Sequence, residues 1–465
     1  MSELKEKCGI VGIYGTGLPV SKLAFFALFA LQHRGQEASG ITTSNGKKLH
    51  SHKGAGLVAQ IYKEKDIKNL KGHIGIGHNR YSTSGGGALD HAQPVLNPEH
   101  TFALAHNGNL PSVKALEEFL KGHKVLKKNR MDSELITDAV DFYLKKGKKI
   151  EEAVKKVFPL ITGAFSLVMM DKQNLVAVRD EYGMRPLVLG KKGKGYVIAS
   201  ETCALETIGA RFIREINPGE LVVINGKGLK SVKLAKSTPK HDIWEYVYFS
   251  RPDSVLGGKL IYEVRKNSGK ELARECPLKV DTIVPVPDTA IPVAIGYSEA
   301  SGIPMEMALI KNRYVHRTFI EPDQKSRAHS VALKLIPLQK MLKGKSIAVI
   351  DDSIVRGTTS KKLVKRLFLA GAKEVHFLVS SPPVRFPDFY GMDTPKQKKL
   401  IASSKTVEEV RKFLGATSLH YLSLPGLIKS IGLPEGRLCT SFFTGEYPID
   451  LKERAKEVNH NVPKE

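Results

Sequence analysis

The chain has 465 residues, 42% hydrophobic and 26% charged, with a formal net charge of +25; that size supports more than one core, and the composition is that of a folded chain. Its longest apolar run, Leu23 to Leu31, is too short to cross a bilayer, and Met1 to Lys7 lack the apolar core of a secretory signal. Four scattered cysteines form neither a disulfide framework nor a CxxC metal pair, so a cytoplasmic protein with no membrane partner is expected. Lysines are spread along the whole chain without an interleaved aromatic stripe. That pattern argues against nucleic acid and for a solvated basic surface or small anionic ligands.

In chain order, Gly9 to Tyr14 predicts a strand and Lys22 to Gln32 a helix ending at His33-Arg34-Gly35. Strands follow at Ile74 to Gly77, Phe102 to His106, Ala164 to Met170, Leu175 to Arg179, Tyr196 to Ser200 and Glu220 to Ile224. Helices fall at Ser112 to Leu120, Ser133 to Lys145 and Ile150 to Val157, giving a strand-rich α+β pattern. Gly226 to His241 reads as a Lys-rich linker. Beyond it helices at 258–275, 290–301 and 360–370 alternate with strands at 282–287, 346–350 and 374–380, which predicts a parallel sheet covered on both faces. The expected division is residues 8–235 and 236–449, with a charged, frayed tail over 450–465.

Alone, Cys8 reads as a small core residue. The segments after it suggest more. Arg80, in His78-Asn79-Arg80-Tyr81-Ser82-Thr83, offers a fork for a carboxylate. Asn107 and Gly108, in His106-Asn107-Gly108-Asn109, offer an amide and a backbone N–H for an oxyanion. Asp132, at a helix start, could accept hydrogen bonds from an ammonium. With His33-Arg34-Gly35-Gln36-Glu37 and the run Arg179 to Leu187, these segments resemble the N-terminal-nucleophile (Ntn) glutamine amidotransferases. The resemblance implies an αββα domain in which Cys8 attacks the glutamine amide. It also implies that the free α-amine of Cys8, whose reference pKa is near neutral, acts as the local base. Met1 to Lys7 precede Cys8 and would therefore be a propeptide.

Ser346 to Ser360 places an apolar strand before Asp351 and Asp352, then a Gly/Thr-rich turn opening a helix. Such a turn is a natural phosphate cradle. A nucleotide P-loop does not fit, because Gly344-Lys345-Ser346 precedes the strand. The run resembles the ribosyl-phosphate loop of type I phosphoribosyltransferases, and Val284 to Ala290 resembles their diphosphate-binding segment. This implies roles for Asp288 at the diphosphate, for Asp351 and Asp352 at the ribose, and for Ser353, Arg356, Gly357, Thr358 and Thr359 at the 5′-phosphate. Lys311 to Ile320 resembles the basic loop that closes over the diphosphate, with Lys311 and Arg317 as its cations. Thr289, Asp351 and Asp352 would serve one Mg²⁺ per subunit.

A glutaminase half followed by this second half is the order of the amidophosphoribosyltransferases, and Tyr246 to Ser254 resembles the join in that family. The resemblance implies glutamine and 5-phosphoribosyl 1-diphosphate as substrates. It further implies purine nucleotides as feedback inhibitors and a homo-oligomer, dimer or tetramer. One branch of the family holds a [4Fe–4S] cluster with four cysteines; the corresponding positions here are Asp242, Asp388, Cys439 and Phe442, so no iron–sulfur cluster is expected. Two rivals are a sugar-isomerase amidotransferase, disfavoured by Asp351-Asp352, and a nucleic-acid-binding regulator on a phosphoribosyltransferase fold, which leaves the Cys8 segments unexplained.

Overall fold

The computed structural model describes residues 8–81, 89, 91–312, 335–392 and 394–463. The first half contains β1 (Gly9–Tyr14), β2 (Ala38–Ser44), β3 (Leu49–Ala55), β4 (Ile74–Arg80), β5 (Val95–Leu96), β6 (Ala103–Ser112), β7 (Thr162–Met170), β8 (Leu175–Arg179), β9 (Val188–Lys192), β10 (Gly195–Ala199), β11 (Arg211–Glu215), β12 (Glu220–Asn225) and β13 (Gly228–Lys233). They form a seven-stranded sheet, β11-β9-β10-β1-β4-β2-β3, and a six-stranded sheet, β13-β12-β8-β7-β6-β5.

Alternation along β1 sets the layering. Ile10 packs with Ile76 and Ile198 against Ala105, Val168 and Ala177 of the second sheet. Val11 and Ile13 face the other way, against the helix Val20–Ala30. Helices Lys114–Gly122, Asp132–Lys145 and Ile150–Val157 cover the outer face of the second sheet. The result is the αββα sandwich.

The second half is a four-stranded parallel sheet of Thr282–Pro285, Ser346–Asp351, Glu374–Val379 and Ser418–Tyr421, in that order. Ala348 and Ile350 face helices Ile261–Glu275 and Ile291–Ser301. Ile347 and Val349 face Thr358–Leu369 and Val407–Leu414. Both faces are covered, as the alternation of strand and helix predicts.

Two expectations need correction. The proposed linker from Gly226 instead contains β13, which pairs with β12 from Glu220↔Lys233 to Asn225↔Gly228; only the stretch from Leu234 to Lys240 is without regular structure. The tail is not frayed over its described part. Leu451 is buried, Arg454 lies 4.5 Å over the Phe389 ring, and Ser112 Oγ donates to Glu453 at 3.1 Å. A charged composition hid one buried leucine and two well-placed polar residues, Glu453 and Arg454.

Candidate active sites

β1 runs antiparallel to β4 with Gly9 opposite Asn79 and Ile10 opposite His78. One step further along this register brings Cys8 to the level of Arg80. Both line a cavity of about 470 Å³, together with Gly108, Asn109 and Asp132. Gly108 has φ +151°, and a Cβ there would sit 2.0 Å from the Ala164 carbonyl oxygen, so only glycine fits. Its neighbour Asn107 is fully buried, and neither atom of its amide has a hydrogen-bond partner among the described residues. Leaving a buried amide unsatisfied costs roughly 1–3 kcal/mol, an expense expected where a reacting ligand completes the bonding. Asp132 opens the helix Asp132–Lys145 and accepts the Ser133 N–H at 2.6 Å, with its other oxygen 3.6 Å from His106 Nδ1.

The structure therefore gathers Cys8, Arg80, Gly108 and Asp132 around one cavity, while Asn107, next to Gly108 in the chain, is buried and not among the lining residues. It adds residues the motifs did not single out. Burial pulls the Lys53 ammonium down to about 8, and its Nζ donates to the Ala92 carbonyl at 2.9 Å. Gln93 and Ser133 also line the cavity. Lys53 lies on β3, far from every motif, and only sheet pairing brings it here. Burial drives the His78 imidazole down to about 3, so it is neutral and donates from Nε2 to the His106 carbonyl at 3.2 Å.

Other motif residues serve the join between the halves. Arg34 points away from the cavity, bonding Glu201 of the first half and Glu245 Oε2 of the second at 2.5 Å. Glu201 in turn accepts Ser254 Oγ–H at 2.6 Å and the Arg251 N–H at 2.9 Å. Burial pushes the Glu201 carboxyl up, but Arg34 and His33 outweigh it and hold the group well below the usual carboxylate range. Asn109, in the cavity wall, donates to the Phe389 carbonyl at 2.7 Å.

The four cluster-ligand positions of the iron-bearing branch can be tested directly. Asp242 pairs with Cys439 across a short parallel ladder. Arg185 Nη1 lies 2.9 Å from Asp242 Oδ2, and Arg185 Nη2 is 3.7 Å from Asp388 Oδ2. The set holds one thiol, which burial raises to about 12, and a guanidinium within it. These residues do not fit a cluster held by four thiolates.

The second candidate site lies at the carboxyl ends of the parallel strands, where ligands bind in open α/β sheets. Pro285 is opposite Ile350, so the Asp288 loop and the Asp351 loop emerge side by side. Asp351, Asp352 and Ser353 are buried, with Ser353 Oγ donating to Asp352 at 2.6 Å. Burial and the charge of Asp351 push the Asp352 carboxyl up to about 7. Gly357 caps the helix Thr358–Leu369 in the left-handed conformation, and Arg356 and Thr358 are exposed at its mouth. Asp288, exposed, pairs with Lys311, and Thr289 is half-buried beside it. Arg317 lies outside the described residues. Among the described residues no group of three or more His, Cys, Asp or Glu could hold a metal ion. Two adjacent carboxylates are nevertheless the usual protein share of a Mg²⁺ site, whose shell is completed by water and substrate oxygens.

The family described as "Glutamine amidotransferase domain" matches residues 78–207. The amidophosphoribosyltransferase of Synechocystis sp. is 45% identical, covering 98% of this chain and 94% of its own. That of Bacillus subtilis is 41% identical over 96% of this chain and 95% of its own. A solved structure of the allosteric regulatory enzyme of purine biosynthesis superposes with a TM-score of 0.90 at 40% identity, covering 96% of this chain and 97% of its own. The B. subtilis glutamine phosphoribosylpyrophosphate amidotransferase, complexed with ADP and GMP, gives 0.88 at 39% identity, covering 98% and 99%. This chain belongs to the amidophosphoribosyltransferase family, the glutamine-dependent enzymes of the first step of purine biosynthesis.

Proposed function

We propose that the cavity at Cys8 is the glutamine site, within residues 8–235, and that the Asp351 loop is the 5-phosphoribosyl 1-diphosphate site, within 236–449. The buried Asn107 amide beside Gly108, which has no hydrogen-bond partner among the described residues, carries the first assignment. Removal of Met1 to Lys7 frees the Cys8 amine, which takes the thiol proton. Sγ then attacks the side-chain carbonyl carbon, and the oxyanion is held by Asn107 Nδ2 and the Gly108 N–H. Ammonia leaves, and water cleaves the thioester to glutamate. Arg80 binds the substrate carboxylate and Asp132 its ammonium.

At the second site, Ser353, Arg356, Gly357, Thr358 and Thr359 hold the 5′-phosphate at a helix N-terminus. Asp351 and Asp352 orient the ribose hydroxyls. Asp288 and Lys311 serve the diphosphate, a role the motif also gives to Arg317, which lies outside the described residues. Mg²⁺ held by Asp351, Asp352 and Thr289 would neutralise charge on the departing group. Ammonia bonds to the ribose C1 as diphosphate leaves and then loses a proton, giving 5-phosphoribosylamine. The ADP and GMP on the B. subtilis relative support purine nucleotides as feedback inhibitors. A homo-oligomer, dimer or tetramer, in the cytoplasm completes the reading; among the described residues no helix is long and apolar enough to cross a membrane.

The test is release of glutamate and diphosphate with glutamine or with ammonia. Cys8→Ala should abolish glutamine-supported synthesis and keep ammonia-supported synthesis. Persistent glutamine-supported turnover would overturn the assignment.

A further inference from the structure

The residues assigned to the two ends of glutamine sit on different elements: Asn107 and Gly108 on β6, Asp132 at the start of a helix. Their separation must match one substrate. The side chain of Gln93, itself about nine-tenths buried, spans the gap. Its Oε1 accepts the His106 N–H at 2.7 Å, one residue before Asn107. Its Nε2 donates to Ser133 Oγ at 3.0 Å, one residue after Asp132. Ser133 Oγ lies 3.1 Å from Asp132 Oδ1 and 3.2 Å from His106 Nδ1, closing the circuit.

The sheet explains why a side chain is needed. β5 pairs with β6 only at Val95↔Leu104 and Leu96↔Ala103, so the ladder ends before His106. The Gln93 amide takes the place of the missing strand there. Gln93 is itself fixed on both sides. Its carbonyl oxygen lies where a Cβ on Gly40 would come within 2.1 Å, and Lys53 Nζ holds the preceding Ala92 carbonyl at 2.9 Å.

We infer that Gln93 is a positioning residue for glutamine hydrolysis, fixing the oxyanion strand relative to the ammonium-binding Asp132. The inference rests on the glutamine site proposed above. It separates two parameters. The His106 bond acts through Asn107 and Gly108, and so on kcat; the Ser133 bond acts through Asp132, and so on the glutamine KM. Gln93→Leu removes both bonds. A misplacement of about 1 Å can cost on the order of 10²-fold, so glutamine kcat/KM should fall about 10- to 100-fold. Gln93→Glu keeps the acceptor for His106 and loses the donor to Ser133, so kcat should recover while KM stays raised.

The experiment measures glutamine-supported kcat and KM for both variants, with ammonia-supported diphosphate release as the report of folding. A Gln93→Leu protein within threefold of the parent for glutamine, with ammonia-supported release intact, overturns the inference. If Gln93→Leu does not fold, Gln93→Glu decides: raised KM with near-parental kcat supports positioning, and unchanged KM refutes it. Adding Gln93→Glu to Asp132→Asn should then change KM by less than twofold, because the two act through one contact; a full additional effect also refutes it. Cys8→Ala, run alongside, tests the glutamine site itself. If it keeps glutamine-supported turnover, the site reading fails; if it loses it while Gln93→Leu is normal, only the positioning role fails.

Discussion

Gly108→Ala tests the oxyanion assignment through a clash whose size the fold fixes. The added Cβ would lie 2.0 Å from the Ala164 carbonyl oxygen, at a φ of +151° that L side chains avoid. A carbon–oxygen contact relaxes at about 3.3 Å or more, so the backbone must shift by roughly 1 Å. Ala164 is opposite Asn109 on β7 and cannot retreat without breaking that ladder. The strand at 108 moves instead, carrying its N–H away from the developing oxyanion. Loss of one such donor costs about 10²–10³ in kcat, roughly 3–4 kcal/mol of transition-state stabilisation. Glutamate release by Gly108→Ala should fall by that factor, while ammonia-supported diphosphate release keeps the parental rate. A variant that hydrolyses glutamine within threefold of the parent refutes the oxyanion role of Gly108.

Three further outcomes are expected. Glu201→Gln should destabilise the joined halves by about 3 kcal/mol at pH 7, because it leaves the buried Arg34 with one anionic partner fewer. A depressed carboxylate contributes stability above its unfolded pKa and loses it as pH falls through the folded value; the gap between parent and variant in urea unfolding should therefore close below about pH 4, and a gap of constant size would contradict this. Asp352→Asn should lower both glutamine- and ammonia-supported diphosphate release by on the order of 10²-fold, with EDTA treatment of the parent doing the same; survival of either activity would remove Asp352 from the ribosyl site. Deleting residues 451–465 uncovers the Leu451 site and the Phe389 face, a loss of about 2 kcal/mol, read as a Tm lower by several degrees; an unchanged Tm would show the tail to be dispensable.

The chain's strand and helix rhythm was legible wherever apolar residues mark the buried positions. β8 and the helix at 150–157 were placed to the residue, because apolar spacing alone fixes them. β2 escaped notice because Ala38-Ser-Gly-Ile-Thr-Thr-Ser44 reads as polar, yet all of it is buried. Its Thr42 and Thr43 hydroxyls find partners in Ser51 and the Lys71 carbonyl, contacts that exist only after the sheet forms. The RGQ and MRP segments carried the family resemblance with no role assigned to their arginines. Arg34 and Arg185 bind the two halves together, with partners more than 50 residues away.

What the sequence by itself determined is which residues are available for chemistry: a cysteine, an arginine suited to a carboxylate, an Asn-Gly pair suited to an oxyanion, and two acids before a glycine-containing turn suited to a phosphate. These sit in short segments whose local geometry is dictated by glycine, by strand ends and by helix starts. What only the tertiary structure decided is placement. Antiparallel register brings Cys8 to Arg80, and Gln93 ties His106 to Ser133 across two elements. Burial then sets which charges persist, lowering Lys53 and raising Asp352. Pairing across long loops and desolvation both depend on which distant segments meet, and no local pattern encodes that.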